Sequence, residues 1–250
     1  MTPHRLEEIT LNAWPALQHV FFDGWVLRFA NGYTKRANSV NPLFASSLPT
    51  LDKIATCERI YREKGLRPVF KLTPFSHPAE IDDLLAQQNY KKIDETCVLY
   101  LDLTQLDIAQ RANHLPEPLQ IKELEEWLAI FCDLQESSID SHQTHLAMLK
   151  LISSPCLPVT WQNEAGAHVA SAIGVLENEY FGLFDMVTKP RYRQRGYGTK
   201  LIAGMLQWAR QQGARHAYLQ VVEANTPARR LYHKLGYREL YRYWYRVPKE

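Results

Sequence analysis

The residues best suited to chemistry lie in one short segment, residues 186–199, with the sequence MVTKPRYRQRGYGT. Gly196 and Gly198 allow backbone N–H groups to crowd together without interference from Cβ atoms. A helix is predicted to follow, and the unpaired N–H groups and dipole at a helix N-terminus favour phosphate. Positive charge around the turn comes from Arg191, Arg193 and Arg195. The segment predicts a diphosphate cradle, and a glycine-rich turn between strand and helix is the structural alternative.

Two motifs resemble those of the GNAT superfamily of N-acetyltransferases. Residues 193–198, RQRGYG, resemble the acetyl-CoA signature R/Q-x-x-G-x-G/A. Residues 225–237, NTPARRLYHKLGY, resemble the second motif, N-x-x-A-x-x-L-Y-x-K-x-G-F/Y. A predicted helix and strand separate the motifs, as in the family. The resemblance covers residues 118–250, with detailed motifs over 184–237, and implies an acetyl-CoA-dependent N-acetyltransferase.

The resemblance also implies a role for each matching residue. Met186, Val187 and Thr188 match the strand end whose backbone pairs with the pantetheine arm. The pyrophosphate loop is matched by Arg193, Gln194, Arg195, Gly196, Tyr197, Gly198 and Thr199. Asn225 matches a side chain that contacts the cofactor arm, and Tyr232 matches the general acid that protonates the leaving thiolate. The implied reaction is direct attack of a neutral amine on the thioester, with the oxyanion stabilised by backbone donors.

Tyr232 also suits the acid role on chemical grounds. A tyrosine with its ordinary pKa near 10 is about matched to an alkyl thiolate leaving group. The alternative is a tyrosine that only packs, since the chain has 13 of them. Acetyl-CoA is expected as a co-substrate and no metal is expected, because the nine histidines show no spacing of metal ligands.

The motifs do not identify the base that removes the amine proton, and several carboxylates are candidates. Asp185 is the first candidate, because it ends an otherwise apolar strand, YFGLFDMV, and a buried carboxylate needs a partner or a function. Glu223, at the end of the following strand, is the alternative base. Glu177 and Glu179, in a predicted turn, are weaker candidates. An ion pair with one of the many arginines would also explain Asp185.

Alternating helices and strands position these residues in the second half. The predicted helices cover 121–134, 141–151, 199–212 and 225–235. The predicted strands cover 158–162, 167–176, 180–188, 216–222 and 240–247. Apolar residues at three-to-four spacing predict the 199–212 helix, and Gly213 predicts its end. The alternation predicts an α+β fold with a mixed sheet, which the resemblance specifies as GNAT-like.

The first half repeats part of this order. Gly65 and Gly213 each end a predicted helix and lead into a strand, and a helix, a tyrosine and a strand follow in both halves. We predict two GNAT-like units, residues 1–103 and 118–250, joined by a linker over 104–117. A coincidence of pattern is the alternative, because the identity between the halves is thin.

The first unit is expected to be degenerate. At an offset of about 148 residues the cradle falls on residues 45–50, ASSLPT, which contain neither glycine nor arginine. At an offset of about 147 residues Tyr232 falls on Leu85. Only the second unit is therefore expected to bind acetyl-CoA.

An unusually polar stretch in the first half, residues 28–41, follows a predicted strand and contains the turn signal Asn31-Gly32. One interpretation is a polar hairpin whose side chains bond to one another. The alternative hypothesis is that part of this stretch lines the acceptor site across the interface between the units. The residues in that hypothesis are Arg28, Asn31, Tyr33, Arg36 and Asn38.

The net charge of +2 conceals an uneven distribution. Residues 186–250 carry 14 Lys and Arg against 3 Asp and Glu, whereas residues 104–185 carry 3 against 12. The basic block predicts an anionic partner, such as CoA, or only a solvated face. The acidic block, which borders the acceptor in this family, suggests a cationic acceptor.

Composition excludes several other classes. The chain is 46% hydrophobic and 11% aromatic, which excludes disorder. No run approaches the roughly 18 apolar residues of a membrane helix. The four scattered cysteines predict reduced thiols and a cytoplasmic protein.

The expected function is transfer of acetyl to a primary amine of a small molecule or peptide. A non-catalytic acyl-CoA-binding or sensor protein is the alternative, although a pure binder needs no acid at Tyr232. Nucleic-acid binding through YRELYRYWYRV is a further alternative, but a strand with one polar and one apolar face explains that pattern. We expect no nucleic-acid or membrane partner, and the sequence does not give the oligomeric state.

Overall fold

One mixed sheet runs through the whole protein, whose structure, a computed structural model, describes residues 2–105 and 119–249. The strands are β1 Gln18–Phe22, β2 Trp25–Phe29, β3 Val40–Pro42, β4 Phe70–Leu72, β5 Tyr90–Asp102, β6 Gln120–Ile121, β7 Cys156–Gln162, β8 His168–Glu177, β9 Tyr180–Thr188, β10 His216–Val222 and β11 Arg238–Pro248. The helices are α1 Pro3–Ala13, α2 Thr50–Glu63, α3 Ile81–Gln87, α4 Leu124–Gln135, α5 Gln143–Leu149, α6 Tyr197–Gln211 and α7 Thr226–Leu235. The predicted α+β class is confirmed.

The elements that carry the second-half motifs follow the predicted boundaries closely. Strands β9 and β10 begin and end where the sequence predicts. Helix α6 begins two residues before the predicted start, and Asn225 is the N-cap of α7 instead of its first residue. The predicted start of the 121–134 helix is wrong, because residues 120 and 121 pair with β7 as a short strand.

The sheet order is β1-β2-β3-β4-β11-β5-β10-β9-β8-β7-β6. Strand β11, from the end of the chain, lies between β4 and β5 of the first half. Strand β5, from the first half, lies between β11 and β10 of the second. The halves therefore exchange their last strands. Most of the predicted linker, residues 106–117, lies outside the described residues.

The two halves share one pattern of strand pairing. In the first, β1–β2 and β2–β3 are antiparallel and β3–β4 is parallel. In the second, β7–β8 and β8–β9 are antiparallel and β9–β10 is parallel. Each half continues with a helix and an exchanged strand. This correspondence supports the proposal of two related units.

Apolar packing covers the sheet and joins the halves. Helices α6 and α7 bury one cluster against β8, β9 and β10. Helix α1 of the first half shares a second cluster with α4 and α5 of the second. A buried polar network also crosses this interface, where the ammonium of Lys71 and the hydroxyl of Tyr241 both donate to the carboxylate of Glu7. No helix among the described residues is long and apolar enough to span a membrane.

Candidate active site between the strands β9 and β10

Strands β9 and β10 separate partway along their length. Their parallel pairing ends at Leu183 and Leu219. Just beyond, the register between β8 and β9 shifts, and Asp185 takes a φ of +50°, a left-handed conformation that is uncommon for a non-glycine residue. The rest of β9 pairs with β8 alone among the described strands. A wedge-shaped opening, which we call the mouth, therefore has Met186–Thr188 along one edge.

The predicted diphosphate cradle lies directly beyond β9. A single 3-10 turn, Pro190–Tyr192, leads to Gly196, which caps α6 with a φ of +81° and no side-chain hydrogen bond. The backbone N–H of Lys200 already donates to the carbonyl oxygen of Gly196, so the N–H groups of residues 197–199 have no intrahelical acceptor. A Cβ added at Gly196 would meet nothing within 4 Å. The space around Gly196, at the N-terminus of α6, is therefore open.

The cradle is tied to the strand edge. The Arg193 side chain donates from Nε to the carbonyl oxygen of Thr188 at 3.1 Å. A Cβ at Gly198 would lie 3.4 Å from Thr188 Oγ1 and 3.7 Å from Leu231 of α7. The structure thus brings together the two segments that the sequence assigned to the cofactor, residues 186–188 and 193–199.

The second motif positions Asn225 and Tyr232. The Asn225 Oδ1 atom accepts the backbone N–H of Ala228 at 3.2 Å and so caps α7. Tyr232 is 8% exposed and packs in the cluster that joins α6, α7 and β10. Burial raises the pKa of Tyr232 to about 12, so the hydroxyl keeps its proton at neutral pH.

Asp185 has a histidine partner that the sequence analysis missed. His145 of α5 is fully buried, and its Nε2 lies 2.8 Å from Asp185 Oδ2. The His145 Nδ1 atom is buried without a hydrogen bond among the described residues. Because 17% of the Asp185 side chain remains accessible, the carboxylate is held and still reachable. The sequence feature that could have indicated this partner is a histidine beside a short apolar segment, HLAML.

Glu223 lies in a different setting. Its Oε1 accepts from the Arg242 guanidinium at 2.6 Å, and Arg242 also binds Glu95 and Glu239. Its backbone carbonyl oxygen accepts from Arg229. The geometry therefore favours Asp185 over Glu223 as the carboxylate free to act on a substrate.

Two of the five first-half residues predicted at the acceptor site lie elsewhere. The guanidinium of Arg28 is fully buried and donates to the backbone carbonyl oxygens of Leu11, Trp14 and Arg36. Asn38 Oδ1 accepts the backbone N–H groups of Ala30 and Gly32. Both side chains stabilise the local chain path. The Asn31-Gly32 turn lies within a long connection between β2 and β3 and does not form a two-residue hairpin.

The other three contact the second half. The Tyr33 hydroxyl lies 2.7 Å from His142 Nδ1, and its ring stacks on His145 with centroids 5.3 Å apart. Asn31 Nδ2 donates to Thr144 Oγ1 at 3.2 Å. Arg36 Nε donates to the Tyr243 hydroxyl at 3.4 Å. Burial, followed by the charge of Asp185, raises the pKa of Tyr33.

Several acidic side chains of the block 104–185 are already paired with lysines. Glu125 binds Lys150 and Glu126 binds Lys122, both on the surface of α4. Asp133, also on α4, binds Lys189. Among the described residues, no group of three or more His, Cys, Asp or Glu could hold a metal ion.

The open strand edge and the glycine-capped helix are arranged as in the GNAT fold, and comparison with known proteins agrees. The chain belongs to the family described as "Probable histone acetyltransferase Rv0428c C-terminal", which matches residues 4–246.

Individual relatives are consistent with this family. The chain is 29% identical over 250 residues to the Bacillus subtilis protein named "Uncharacterized N-acetyltransferase YobR", covering 98% of both chains. A GCN5-related N-acetyltransferase from Kribbella flavida superposes with a TM-score of 0.72 at 15% identity, covering 100% of this chain and 97% of that one. A tandem GNAT protein from the clavulanic acid biosynthesis pathway superposes with a TM-score of 0.61 at 16% identity, covering 78% and 69%.

Proposed function

We propose that the protein transfers the acetyl group of acetyl-CoA to a primary amine of a small molecule or peptide. The open cradle beside the unpaired end of β9 is the observation that carries this proposal. The free N–H groups of residues 197–199 suit the diphosphate, and Arg193 and Arg195 add positive charge. The backbone of Met186–Thr188 suits the amides of the pantetheine arm, which would bind as an added strand.

Tyr232 is proposed as the general acid. Acetyl-CoA supplies an acetyl thioester, whose sulfur must be protonated as the thiol leaves. The raised pKa of Tyr232, about 12, keeps a proton available for that sulfur. Leu231, its neighbour on α7, lies against the start of α6, which places this part of the helix beside the cradle.

Asp185 is proposed as the base, with His145 as a positioning residue. The carboxylate accepts a hydrogen bond from His145 Nε2, which fixes one oxygen and keeps the other for the substrate. The amine nitrogen bonds to the acetyl carbon as the carbon–sulfur bond breaks. Asp185 takes the proton from the amine, and Tyr232 delivers its own proton to sulfur. Glu223 remains the alternative base, and its ion pair with Arg242 argues against it.

The proposed acceptor is a broad class, a primary amine. The family description names histone acetylation, in which the acceptor is a protein amine. A peptide amine and a small-molecule amine both remain in the proposal. The cationic acceptor expected from the acidic block also stays a prediction, and an amine panel tests it.

The test is release of free thiol from acetyl-CoA in the presence of a panel of amines. We expect release with at least one amine, and a fall in kcat/KM of about 100-fold or more for Asp185→Asn, because the amide cannot take the proton from the amine. Glu223→Gln, which neutralises the alternative base, should change kcat/KM only a few-fold, because that carboxylate is already paired with Arg242.

The outcomes separate the two function classes. Tight binding of CoA without thiol release from any amine would favour the acyl-CoA sensor. A larger effect for Glu223→Gln than for Asp185→Asn would move the base to Glu223.

A further inference from the structure

A guanidinium without a carboxylate partner lies beside the mouth. Arg36 is half-buried, donates from Nε to the Tyr243 hydroxyl at 3.4 Å and lies 5.7 Å from the Trp14 ring centroid. It forms no ion pair with any residue in 2–105 or 119–249. Arg242 and Arg246, by contrast, are paired with carboxylates. A partly desolvated cation is costly unless an anion compensates it.

A second unused donor lies next to Arg36. The Tyr243 hydroxyl donates to Gln220 Oε1 at 3.2 Å, which leaves the other end of that amide, Nε2, buried and without a hydrogen bond among the described residues. Gln220 directly follows Leu219, where the pairing of β9 and β10 ends. Among the described residues, the Arg36 guanidinium therefore has a neutral hydroxyl and no carboxylate as acceptor, and Gln220 Nε2 beside it has no acceptor.

A negative charge, that of Asp185, lies on the other side of the Trp14 ring from Arg36. Trp14 contacts Arg36 through its ring, and its centroid lies 5.4 Å from His145, which binds Asp185. Burial works against the charge on Arg36, but the phenols of Tyr243 and Tyr245 and the carboxylate of Asp185 outweigh it and raise the pKa of Arg36. The mouth thus offers a cation, an amide donor and, beyond Trp14, an anion.

Building on the proposed function, we propose that the acceptor is an amine that also carries a carboxylate several bonds away, such as an amino acid with a side-chain amine. Its carboxylate would bind the Arg36 guanidinium, whose planar N–H donors match the two oxygens of a carboxylate. Its amine would lie against Asp185, where the proton is removed. Arg36 is then a specificity residue supplied by the half whose cradle is filled by Asp23.

The test compares amines that differ only in the carboxylate. Lysine, whose side-chain amine is separated from its carboxylate by five carbons, is compared with lysinamide and cadaverine. Thiol release gives kcat/KM, and calorimetric titration into the CoA-loaded protein gives affinity without turnover. We expect the carboxylates to be preferred by about 10- to 100-fold in both measurements, as charged hydrogen bonds allow.

Variants assign the preference to its residue. Arg36→Gln should remove the preference by weakening only the carboxylated acceptors, and Arg36→Lys should retain part of it. Lys35→Gln is the matched control, because it removes the neighbouring positive charge, which is paired with Asp94 at 2.9 Å. The preference should survive that change.

Three results would overturn the inference: equal use of the uncharged counterparts by the unaltered protein, preference for cadaverine, or an equal loss for all amines in Arg36→Gln. The affinity measurement distinguishes failure of the proposed acetyl transfer from failure of the proposed recognition of a carboxylate. If no amine releases thiol but amino acids still bind preferentially, the proposed transfer fails and the ligand class stands.

Discussion

The loop before α6 and the loop before α2 occupy equivalent positions in the two halves. They differ in whether their backbone N–H donors are available to an anion from outside the protein. In the second half, the N–H groups of residues 197–199 have no intrahelical acceptor, and open space surrounds Gly196 in front of the helix. In the first half, the backbone N–H groups of Ser47 and Leu48 donate to the carboxylate of Asp23 at 2.9 to 3.1 Å. The first cradle still binds an anion, but that anion belongs to the protein.

The surroundings of the filled loop reinforce the difference. The buried Lys53 binds the backbone oxygen of Asp23 and the hydroxyl of Ser46. The carbonyl oxygens of Ala45 and Phe44 lie 2.3 and 2.8 Å from the position of a Cβ at Gly24. The first loop is therefore closed by close packing as well as by charge. A cradle becomes a binding site only where the chain leaves its donors free.

The largest expected effect concerns Tyr232, the proposed general acid, which has a leucine as its predicted counterpart in the first half. Tyr232→Phe should lower kcat by about 10²- to 10⁴-fold with little change in KM for acetyl-CoA, because the phenol acts on the leaving sulfur. Leu85 is its predicted counterpart in the first half and is fully buried. Because the pKa of Tyr232 is raised to about 12, its deprotonation should not lower kcat below about pH 11. Steady-state kinetics across pH measures both effects.

The control for this change is Tyr237→Phe, which removes the hydroxyl of a buried tyrosine whose ring centroid lies 6.0 Å away. It should leave kcat within a few-fold. Similar losses for the two variants would indicate packing and not acid catalysis.

The next effect tests the open cradle. Gly196→Ala places a methyl group in the space before the free N–H groups and strains a φ of +81°. We expect the Kd for acetyl-CoA, measured by calorimetry, to rise by about tenfold or more, since the N–H donors would lose their approach to the phosphates.

Gly65→Ala is the matched control in the first half, because Gly65 has a φ of +68° and equally open surroundings. Both changes should lower the free energy of unfolding by about 1 kcal/mol. Only Gly196→Ala should weaken acetyl-CoA. Equal loss of affinity would mean that strain, and not the cradle, controls binding.

The smallest effect tests the filled cradle. Hydrogen bonds, chiefly from the Leu48 backbone and Ser47, hold the pKa of Asp23 well below its usual range. A lowered folded-state pKa stabilises the protein above the unfolded pKa of about 3.9, and the stabilisation is lost as pH falls below it. Asp23→Asn should therefore lower the urea midpoint at pH 7, and the difference should shrink below about pH 4.

Acetyl-CoA affinity gives the other half of this test. It should be unchanged in Asp23→Asn, because Asp23 fills the loop of the other half. A change in affinity, or a second binding event in the titration, would show that the first cradle can bind acetyl-CoA once the Asp23 carboxylate is removed.

Local features of this protein were predictable from the sequence. The bounds of β9 and β10 follow from runs of apolar and β-branched residues, and Gly196 marks the start of α6. Both cofactor segments are short, continuous stretches, so their motifs report them directly. The GNAT resemblance then predicted that they would meet, as the structure shows.

Features that depend on distant pairing were not predictable. Nothing local in β5 or β11 specifies that each inserts into the other half's part of the sheet. The pairing of His145 with Asp185 joins residues 40 apart. Arg28 and Asn38 were expected at the acceptor site because they are polar, yet they bind backbone groups that only the fold brings near. Residue type alone does not distinguish a side chain that binds substrate from one that binds the chain.

The exchange of β5 and β11 makes the two halves inseparable. Strand β5 is hydrogen-bonded on one side to β10 and on the other to β11. Separating the two halves would therefore break the backbone hydrogen bonds on both sides of β5. The sheet should therefore unfold as one cooperative body and not as two domains in succession. The part of the sheet built by the second half is completed by β5, a strand from the first half, so the second half expressed alone should not fold into this sheet.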